Sequence, residues 1–397
     1  MKQMKILMLL GNAFNPDPRV LKEAQSLVDN GMDVLILAWD REAKLPETEV
    51  YDKIRIKRVR VRSGFGKGIA QVPYITMVHL RFIALGLFQK ADIVHCHDLD
   101  TLPVGVIIKI LKFFSIKIIY DSHENFPVQK ALELPKVAYS IMNFLEKLCM
   151  IFVDTVFTAS SILEEEFSKK FSVPIIWLPN FARKEDFICR QEDISTFRKE
   201  LGYSKDDIVI AYIGGLRPAR AIIPIINVLQ KRSKIKMFIC GNGEQMQHIQ
   251  ELSKKTSNIK YLGNIRQTDI IPYYFAADVL YYGLINYPGC IYNAPNNFSY
   301  AILAGKPLIG TDYGDLGRFI KESKCGIAIK EANERELEKA IERIETEPTI
   351  IDKMKKEIYE NAQNNYHWGI VESKLLEAYE NLQKGKNNTI YDEERNN

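Results

Sequence analysis

Histidine and carboxylate meet twice in the first third of the chain. Residues 92–98 read DIVHCHD and residues 120–124 read YDSHE. Each run closes an apolar stretch typical of a buried strand, so His95, His97, Asp98, Asp121, His123 and Glu124 belong at strand ends, where one sheet edge can collect them. Imidazole beside carboxylate can bind hydroxyls, move protons or ligate a metal. His95 and His97, two apart, share one face of a strand, but the set lacks a known metal spacing. A polar edge that binds sugar or other hydroxyls fits better than a metal site.

Glycine and arginine offer a second chemistry. In residues 212–222 (YIGGLRPARAI) a strand ends on Gly214-Gly215 and a helix begins near Ala221. Glycines let backbone amides approach a ligand, and Arg217 and Arg220 add fixed positive charge beside a helix N-terminus. A diphosphate would suit that loop. There is no Walker lysine pattern, so a P-loop is excluded. Residues 240–245 (CGNGEQ) form a weaker glycine turn with Gly241 and Gly243. The turn from Gly11 and Asn12 to Arg19 lacks the G-x-G-x-x-G fingerprint, which counts against an NAD dehydrogenase, yet it still suits a polar or anionic ligand. In residues 293–316, Pro295-Asn296-Asn297 can start a helix and Gly305-Lys306-Pro307 can end it.

These groups need strands and helices to place them. Apolar runs predict strands at 5–10, 33–38, 92–95, 116–120, 154–158 and 174–178, with helices between. The first helix is well marked: Asp17 can cap it, Pro18 fits its first position and Gly31 closes it. Residues 54–61 (IRIKRVRV) alternate with period two, as in an edge strand; a phosphate-binding patch is the other reading. Residues 183–206 break the apolar rhythm and predict an interdomain linker with a short helix. A second set of strands follows at 207–213, 235–240, 259–262, 278–282, 306–310 and 326–329. Asn333 with Glu336 predicts a capped helix start. The last helix, about 368–383, carries Trp368, Val371, Leu375, Leu376 and Tyr379.

Two successive α/β sets predict an α/β fold of two Rossmann-like, doubly wound domains facing each other across a cleft. The expected bounds are 1–187 and 205–365, with 366–383 a helix returning to the first domain and 384–397 a disordered tail. The length of 397 residues agrees with two domains. A composition of 46% hydrophobic and 26% charged residues excludes disordered, collagenous and coiled-coil chains. No window reaches the roughly 18 apolar residues of a membrane span, and the N-terminus reads as a first strand, not a signal peptide. Residues 1–190 hold 26 Lys and Arg against 22 Asp and Glu, so the whole net charge of +4 lies there; it is too small to require nucleic acid. Six scattered cysteines, none in a Cys-x-x-Cys pair, predict reduced thiols in a cytoplasmic protein.

Taken in order, the segments resemble glycosyltransferase family 4, the group 1-like retaining transferases of GT-B fold. The resemblance runs from the first strand to about residue 383. It rests on Asp17-Pro18-Arg19-Val20, His95-Cys96-His97-Asp98, Asp121-Ser122-His123-Glu124, Pro179-Asn180 and Ala304 to Ile309. It implies transfer of a sugar, with retention, from a UDP- or GDP-linked nucleotide sugar to a glycan or lipid-linked acceptor in polysaccharide or envelope biosynthesis. No further cofactor and no metal is implied. The donor side would comprise Gly214, Gly215, Arg217, Arg220, Gly241, Gly243, Asn296, Asn297 and Ser299. Gly11, Asn12, Arg19, His97 and Glu124 would face the acceptor, and His123, Asp98 and Arg220 would act in catalysis. Relatives that act on lipid-linked glycans imply a peripheral place on the cytosolic face of a membrane, with weak docking through the basic first domain and the segment Ile69 to Phe88. The family's pair of glutamates is replaced by Ile291 and Ser299. That departure motivates an alternative, a non-catalytic partner or scaffold of the same fold; a nucleotide-sugar epimerase is a further one.

Overall fold

The computed structural model describes residues 3–64, 68–130, 136–286, 288–292 and 296–384. They divide into two compact units. The first runs to Pro179 and resumes at Val371, and the second is Asn180–Ile370.

The first unit holds β1 (Lys5–Leu10), α1 (Pro18–Asp29), β2 (Asp33–Asp40), β3 (Thr48–Tyr51), β4 (Ile54–Arg60), α2 (Val72–Phe88), β5 (Ile93–His97), α3 (Leu102–Leu111), β6 (Lys117–Ser122), α4 (Phe126–Lys130), α5 (Lys136–Met150), β7 (Thr155–Thr158), α6 (Ser161–Lys170) and β8 (Ile175–Trp177). Its sheet has the order β3-β4-β2-β1-β5-β6-β7-β8. All neighbours run parallel except β3 and β4, which form an antiparallel pair. Helices cover such sheets, so their strands are continuous apolar runs. The winding reverses at β1, between β2 and β5, and opens a crevice beyond its carboxyl end.

Local chemistry sets α1. Asp17 Oδ1 accepts from the amides of Arg19 and Val20, Pro18 opens the helix, and Gly31 follows its end with φ +81°. The edge-strand expectation for 54–61 is corrected: β4 lies inside the sheet, and β3 forms the edge. Alternation holds from Ile54 to Arg58, with Ile54, Ile56 and Arg58 buried and Arg55 exposed; Arg58 donates to the carbonyls of Ala13, Pro46 and Phe14.

The second unit holds α7 (Gln191–Glu200), β9 (Ile208–Ile213), α8 (Ile222–Leu229), β10 (Ile235–Cys240), α9 (Met246–Lys254), β11 (Ile259–Gly263), α10 (Ile271–Ala276), β12 (Val279–Tyr282), α11 (Asn296–Leu303), β13 (Leu308–Thr311), α12 (Gly314–Ser323), β14 (Gly326–Ile329), α13 (Glu334–Thr346) and α14 (Ile350–Glu357). The sheet order is β11-β10-β9-β12-β13-β14, all parallel, so the reversal falls at β9. Ile210, Met237, Ile239, Val279 and Ile309 from its strands pack with Ile225, Ile226, Leu337 and Ile341 from α8 and α13. Asn333 caps α13, accepting from the Glu336 amide at 3.0 Å.

The linker expected at 183–206 belongs to the second unit. The chain enters that unit at Asn180, where the Ala182 amide donates to Ser299 Oγ at 2.9 Å and its carbonyl accepts from the Trp368 amide at 2.7 Å. Arg198 on α7 donates to the Ala276 carbonyl and to Asp278, both at 3.0 Å. The last helix, α15 (Trp368–Lys384), belongs to the first unit from Val371 on. The tail expected to be disordered lies outside the described residues, except Lys384, which ends α15. All six cysteines are free thiols. Among the described residues no helix is long and apolar enough to cross a membrane.

Candidate active site

In the first unit the three histidine and arginine motifs become one network at the carboxyl ends of β5 and β6. Arg19, on the first turn of α1, clamps Asp121 from β6: Nε donates to Oδ2 at 3.1 Å and Nη2 to Oδ1 at 2.7 Å. Its Nη1 donates to the Leu178 carbonyl at 2.7 Å, and Glu23, one turn on, lies 3.1 Å from Nε. His97 from β5 stands 3.3 Å from Asp121 and 3.2 Å from His123 Nε2, which lies 3.0 Å from Asp121 Oδ2. The other nitrogen of His123 is 3.4 Å from Asp98 Oδ2, and its amide donates to Asp98 Oδ1 at 3.1 Å. Deeper, His95 stacks on His97 and pairs through Nδ1 with the Tyr379 hydroxyl of α15 at 2.7 Å. Asp98 is left-handed (φ +63°), a conformation uncommon outside glycine.

Burial sorts the roles. Arg19, Glu23, His95, His97 and Asp121 are buried, whereas His123 and Asp98 keep 19% and 31% of their side-chain surface. Burial alone pushes the His123 imidazole down, but the charges of Asp98 and Asp121 raise it to about 10, so it is an imidazolium at neutral pH. Burial lowers His97, and more strongly His95. Burial and then the charge of Asp121 raise Glu23 to about 8, so its carboxyl is protonated; Asp121, against burial, is held well below the usual range by Arg19 and His123. Burial, then Asp98, raises Asp100 to about 7.

Several expected acceptor-side residues take other places. Arg19 and His97 are buried supports beneath His123 and offer no surface to a ligand. Gly11 lies against Asp100, whose carboxylate occupies the space a Cβ would need. Asn12 is exposed but braces its own turn, donating to Asp17 Oδ2 and accepting from the Phe14 amide, both at 2.9 Å. Glu124 is exposed just past β6, and its carbonyl accepts from Ser122 Oγ. Glu23, His95, His97 and Asp121 could hold a metal ion, their ligand atoms lying within 4.8 Å of one another. Arg19 already sets a cation against both carboxylates, so the donor set fits a guanidinium better than a second cation. Sequence reasoning missed Glu23 and Tyr379. Glu23 carried a signal, sitting one turn from Arg19; Tyr379 had none beyond an apolar helix face.

The second unit builds its polar loop from backbone. Beyond β9, the amides of Gly214 and Leu216 donate to the carbonyls of Cys240 and Asn242, and those of Arg217, Arg220 and Ala221 donate within the turn. Gly241 has φ +145°, and a Cβ there would run into the Gly214 carbonyl; Gly243 likewise abuts Leu216. These two glycines therefore allow two loops to touch. Gly215 is exposed, with open space where its Cβ would point. Arg217 is exposed as well. Arg220 lies over the Tyr282 ring, 5.0 Å from its centroid, and its Nη1 is buried with no hydrogen-bond partner among the described residues.

The start of α11 differs from the expectation. Asn297 donates to the Ile213 carbonyl at 2.5 Å and so anchors the glycine loop. Ser299 is buried, its hydroxyl donating to the Asn296 carbonyl at 3.0 Å and accepting from Ala182. A side chain spent in this way is not free for a ribose. Asn296 is exposed, and residues 293–295 lie outside the described residues.

Two Rossmann-like units of parallel strands, each with its polar loops at the carboxyl ends, define the GT-B class of fold. The chain belongs to the glycosyltransferases. Residues 19–183 match the Glycosyltransferase Family 4 model, and residues 193–365 match Glycosyl transferases group 1. Among solved structures it is similar to sucrose-phosphate synthase from Thermosynechococcus elongatus (TM-score 0.77, 15% identity, 97% of this chain and 100% of that one). It is also similar to Anabaena HepE in complex with UDP-glucose (TM-score 0.71, 16% identity, 95% and 100%). A third is WaaG, a glycosyltransferase involved in lipopolysaccharide biosynthesis (TM-score 0.69, 14% identity, 93% and 98%). No curated protein sequence matches the chain.

Proposed function

We propose that the chain transfers a sugar, with retention, from a nucleotide diphosphate sugar to a glycan or lipid-linked acceptor, as in polysaccharide or envelope glycan synthesis in the cytoplasm. The observation that carries this reading is Arg220 Nη1, buried without a partner among the described residues, beside the open Gly215 turn. A buried guanidinium nitrogen with no acceptor is costly, and a diphosphate oxygen would complete it. HepE was solved with UDP-glucose, which supports a donor of that class.

In this reading the bond from the sugar's anomeric carbon to the diphosphate breaks, and a bond to the acceptor oxygen forms on the same face. Arg220 and Arg217 stabilise the charge growing on the leaving diphosphate. The acceptor proton passes to a leaving phosphate oxygen, so no protein base and no metal is required. On the acceptor side, His123 is a cation at neutral pH with its two ring nitrogens against Asp121 and Asp98, and the partly exposed Asp98 carboxylate accepts from an acceptor hydroxyl.

The test is release of UDP or GDP from a panel of sugar nucleotides, with and without acceptor extract, the product anomer being read by NMR. Arg220→Ala should weaken nucleotide binding about 10–100-fold. Tight nucleotide binding with silence from every donor would overturn transfer and favour the second reading, a non-catalytic GT-B partner. That reading draws on Ser299, whose buried hydroxyl offers no carboxylate at the start of α11.

A further inference from the structure

The Gly305-Lys306-Pro307 turn takes no part in the loop beyond β9, and it opens on a separate recess of the same unit. This recess, of about 650 Å³, lies where strands begin: Lys306 precedes β13, Asp278 precedes β12 and Lys205 precedes β9. Helices α7, α10 and α14 contribute Arg198, Phe275 and Lys355 to its walls. Every lining residue belongs to Asn180–Ile370. The Gly214-Gly215 turn sits at the far end of the six residues of β9, roughly 20 Å away.

The charge of the recess is one-sided. Four lysines and Arg198 line it against a single acid, Asp278. Arg198 and Asp278 are committed to the fold. Arg198 donates to the carbonyls of Ala276, Ser204 and Asp207, and Asp278 Oδ2 accepts from Arg198 at 3.0 Å and from the Val209 amide at 2.9 Å. The lysines have no such use. Lys355 reaches the exposed Asp352 at 3.8 Å. The Lys306 ammonium makes no hydrogen bond or ion pair among the described residues. Burial lowers it to about 8; Lys355 and Arg198 add to that, and Asp278 and Cys189 oppose it. Lys199, Lys205 and the phenols of Tyr203 and Tyr359 complete the titratable lining. A half-buried cation without an acceptor is costly, and an anion offsets that cost.

The lining also says which anion. Two ammonium groups without a local counter-charge suit more than one negative charge. Lysine serves phosphate as a point charge, whereas a carboxylate is matched best by an arginine fork. Tyr203, Phe275 and Tyr359 supply aromatic walls for a ring to lie against. Gly305 is left-handed (φ +69°), and the Tyr359 hydroxyl stands 2.8 Å from where a Cβ would be, so glycine lets the phenol close over the turn. The volume is that of a small-metabolite site.

We propose that this recess binds a small phosphate monoester, its phosphate held by Lys306 and Lys355 and its body against Tyr203, Phe275 and Tyr359. Binding there needs no turnover, so it stands apart from the transferase reading. The experiment is calorimetric titration of the full chain with glucose 6-phosphate, inorganic phosphate and citrate, each with and without saturating UDP. Glucose 6-phosphate should bind tightest, and UDP should leave its affinity unchanged. Lys306→Met should weaken it at least tenfold, with UDP affinity unchanged and thermal stability kept or raised, since the variant removes a half-buried charge. A phosphate beside Lys306 favours the ammonium, so affinity should fall about tenfold from pH 7 to pH 9. Four results would overturn the proposal: no binding of either phosphate compound at about 10 mM, displacement by UDP, citrate binding as tightly as glucose 6-phosphate, or full affinity in Lys306→Met.

Discussion

Each unit places its polar residues where the sheet winding reverses, yet the two use different materials. In the first, Arg19, Glu23, His95, His97, Asp121 and His123 are packed against one another, each holding its neighbours' charge or orientation. In the second, backbone amides and carbonyls fix the loop, and Arg220 Nη1 is buried without a hydrogen-bond partner among the described residues. The first arrangement is held chiefly by its own members, although Glu23 Oε1 and Oε2 and the Nε2 atoms of His95 and His97 are buried without a hydrogen-bond partner among the described residues. The second is held by backbone and keeps a cationic nitrogen open. Stability and ligand affinity should therefore respond to mutation in opposite ways in the two places.

The sharpest break of that contrast is Arg19→Leu. It removes the guanidinium that clamps Asp121 and leaves that buried carboxylate with His123 as its one charged partner, which should cost about 3 kcal/mol in denaturant unfolding. Arg220→Leu should stay within about 0.5 kcal/mol of wild type. Equal losses in the two variants would remove the distinction.

Next comes Gly241→Ala. The added Cβ meets the Gly214 carbonyl at a φ that disfavours side chains, so the loops must part. A loss of about 2–3 kcal/mol is expected, together with weaker nucleotide binding, because the Gly214-Gly215 turn moves with it. Thermal unfolding with and without UDP separates the two effects. A stable variant that only loses UDP would mean Gly241 touches ligand instead of supporting the turn.

Glu23→Gln tests the first unit through pH. Folding raises Glu23 from an ordinary 4.5 to about 8. Between those values the folded chain keeps a proton that the unfolded chain releases, so this group's contribution to stability falls as pH rises. It is fully present below about 4.5 and gone above about 8. Glutamine stays neutral, so the decline from pH 5 to 8 should flatten by on the order of 3 kcal/mol. An unchanged slope in urea unfolding at several pH values would show that Glu23 is ionised in the fold.

The same contrast explains what the sequence made legible. Buried parallel strands are continuous apolar runs, so 5–10, 235–240 and 326–329 coincide with β1, β10 and β14. The edge strand β3 has no such run: TEVY is short and largely exposed, and it exists through its pairing with β4. That the histidine motifs gather at strand ends follows from alternation and topology. Which of them reach the surface depends on packing, and Arg19 and His97 turn inward because α1 and the neighbouring strands supply partners for them. Ser299 marks the same limit. Its place in a motif was readable, but its use by Ala182, 117 residues earlier, was not.

Tyr379 is the most distant member of the network, 284 residues from the His95 it holds. Its hydroxyl meets Nδ1 at 2.7 Å, while burial foremost, with the nearby acidic groups Glu23 and Asp121, pushes the phenol well above its ordinary value, so it stays neutral. Tyr379→Phe keeps the ring against Phe157 and His95 and removes only that bond. The expected cost is about 1 kcal/mol, the smallest of the losses in the first unit, since the volume is unchanged and one neutral partner is lost. The bond acts by fixing the His95 tautomer, and through the stacked rings the orientation of His97 beneath His123. The imidazole signals of His97 and His123 should therefore shift in NMR spectra of the variant even though stability barely changes. If only the His95 signals move, the histidines are neighbours without being a relay, and the first unit's interdependence ends at Asp121.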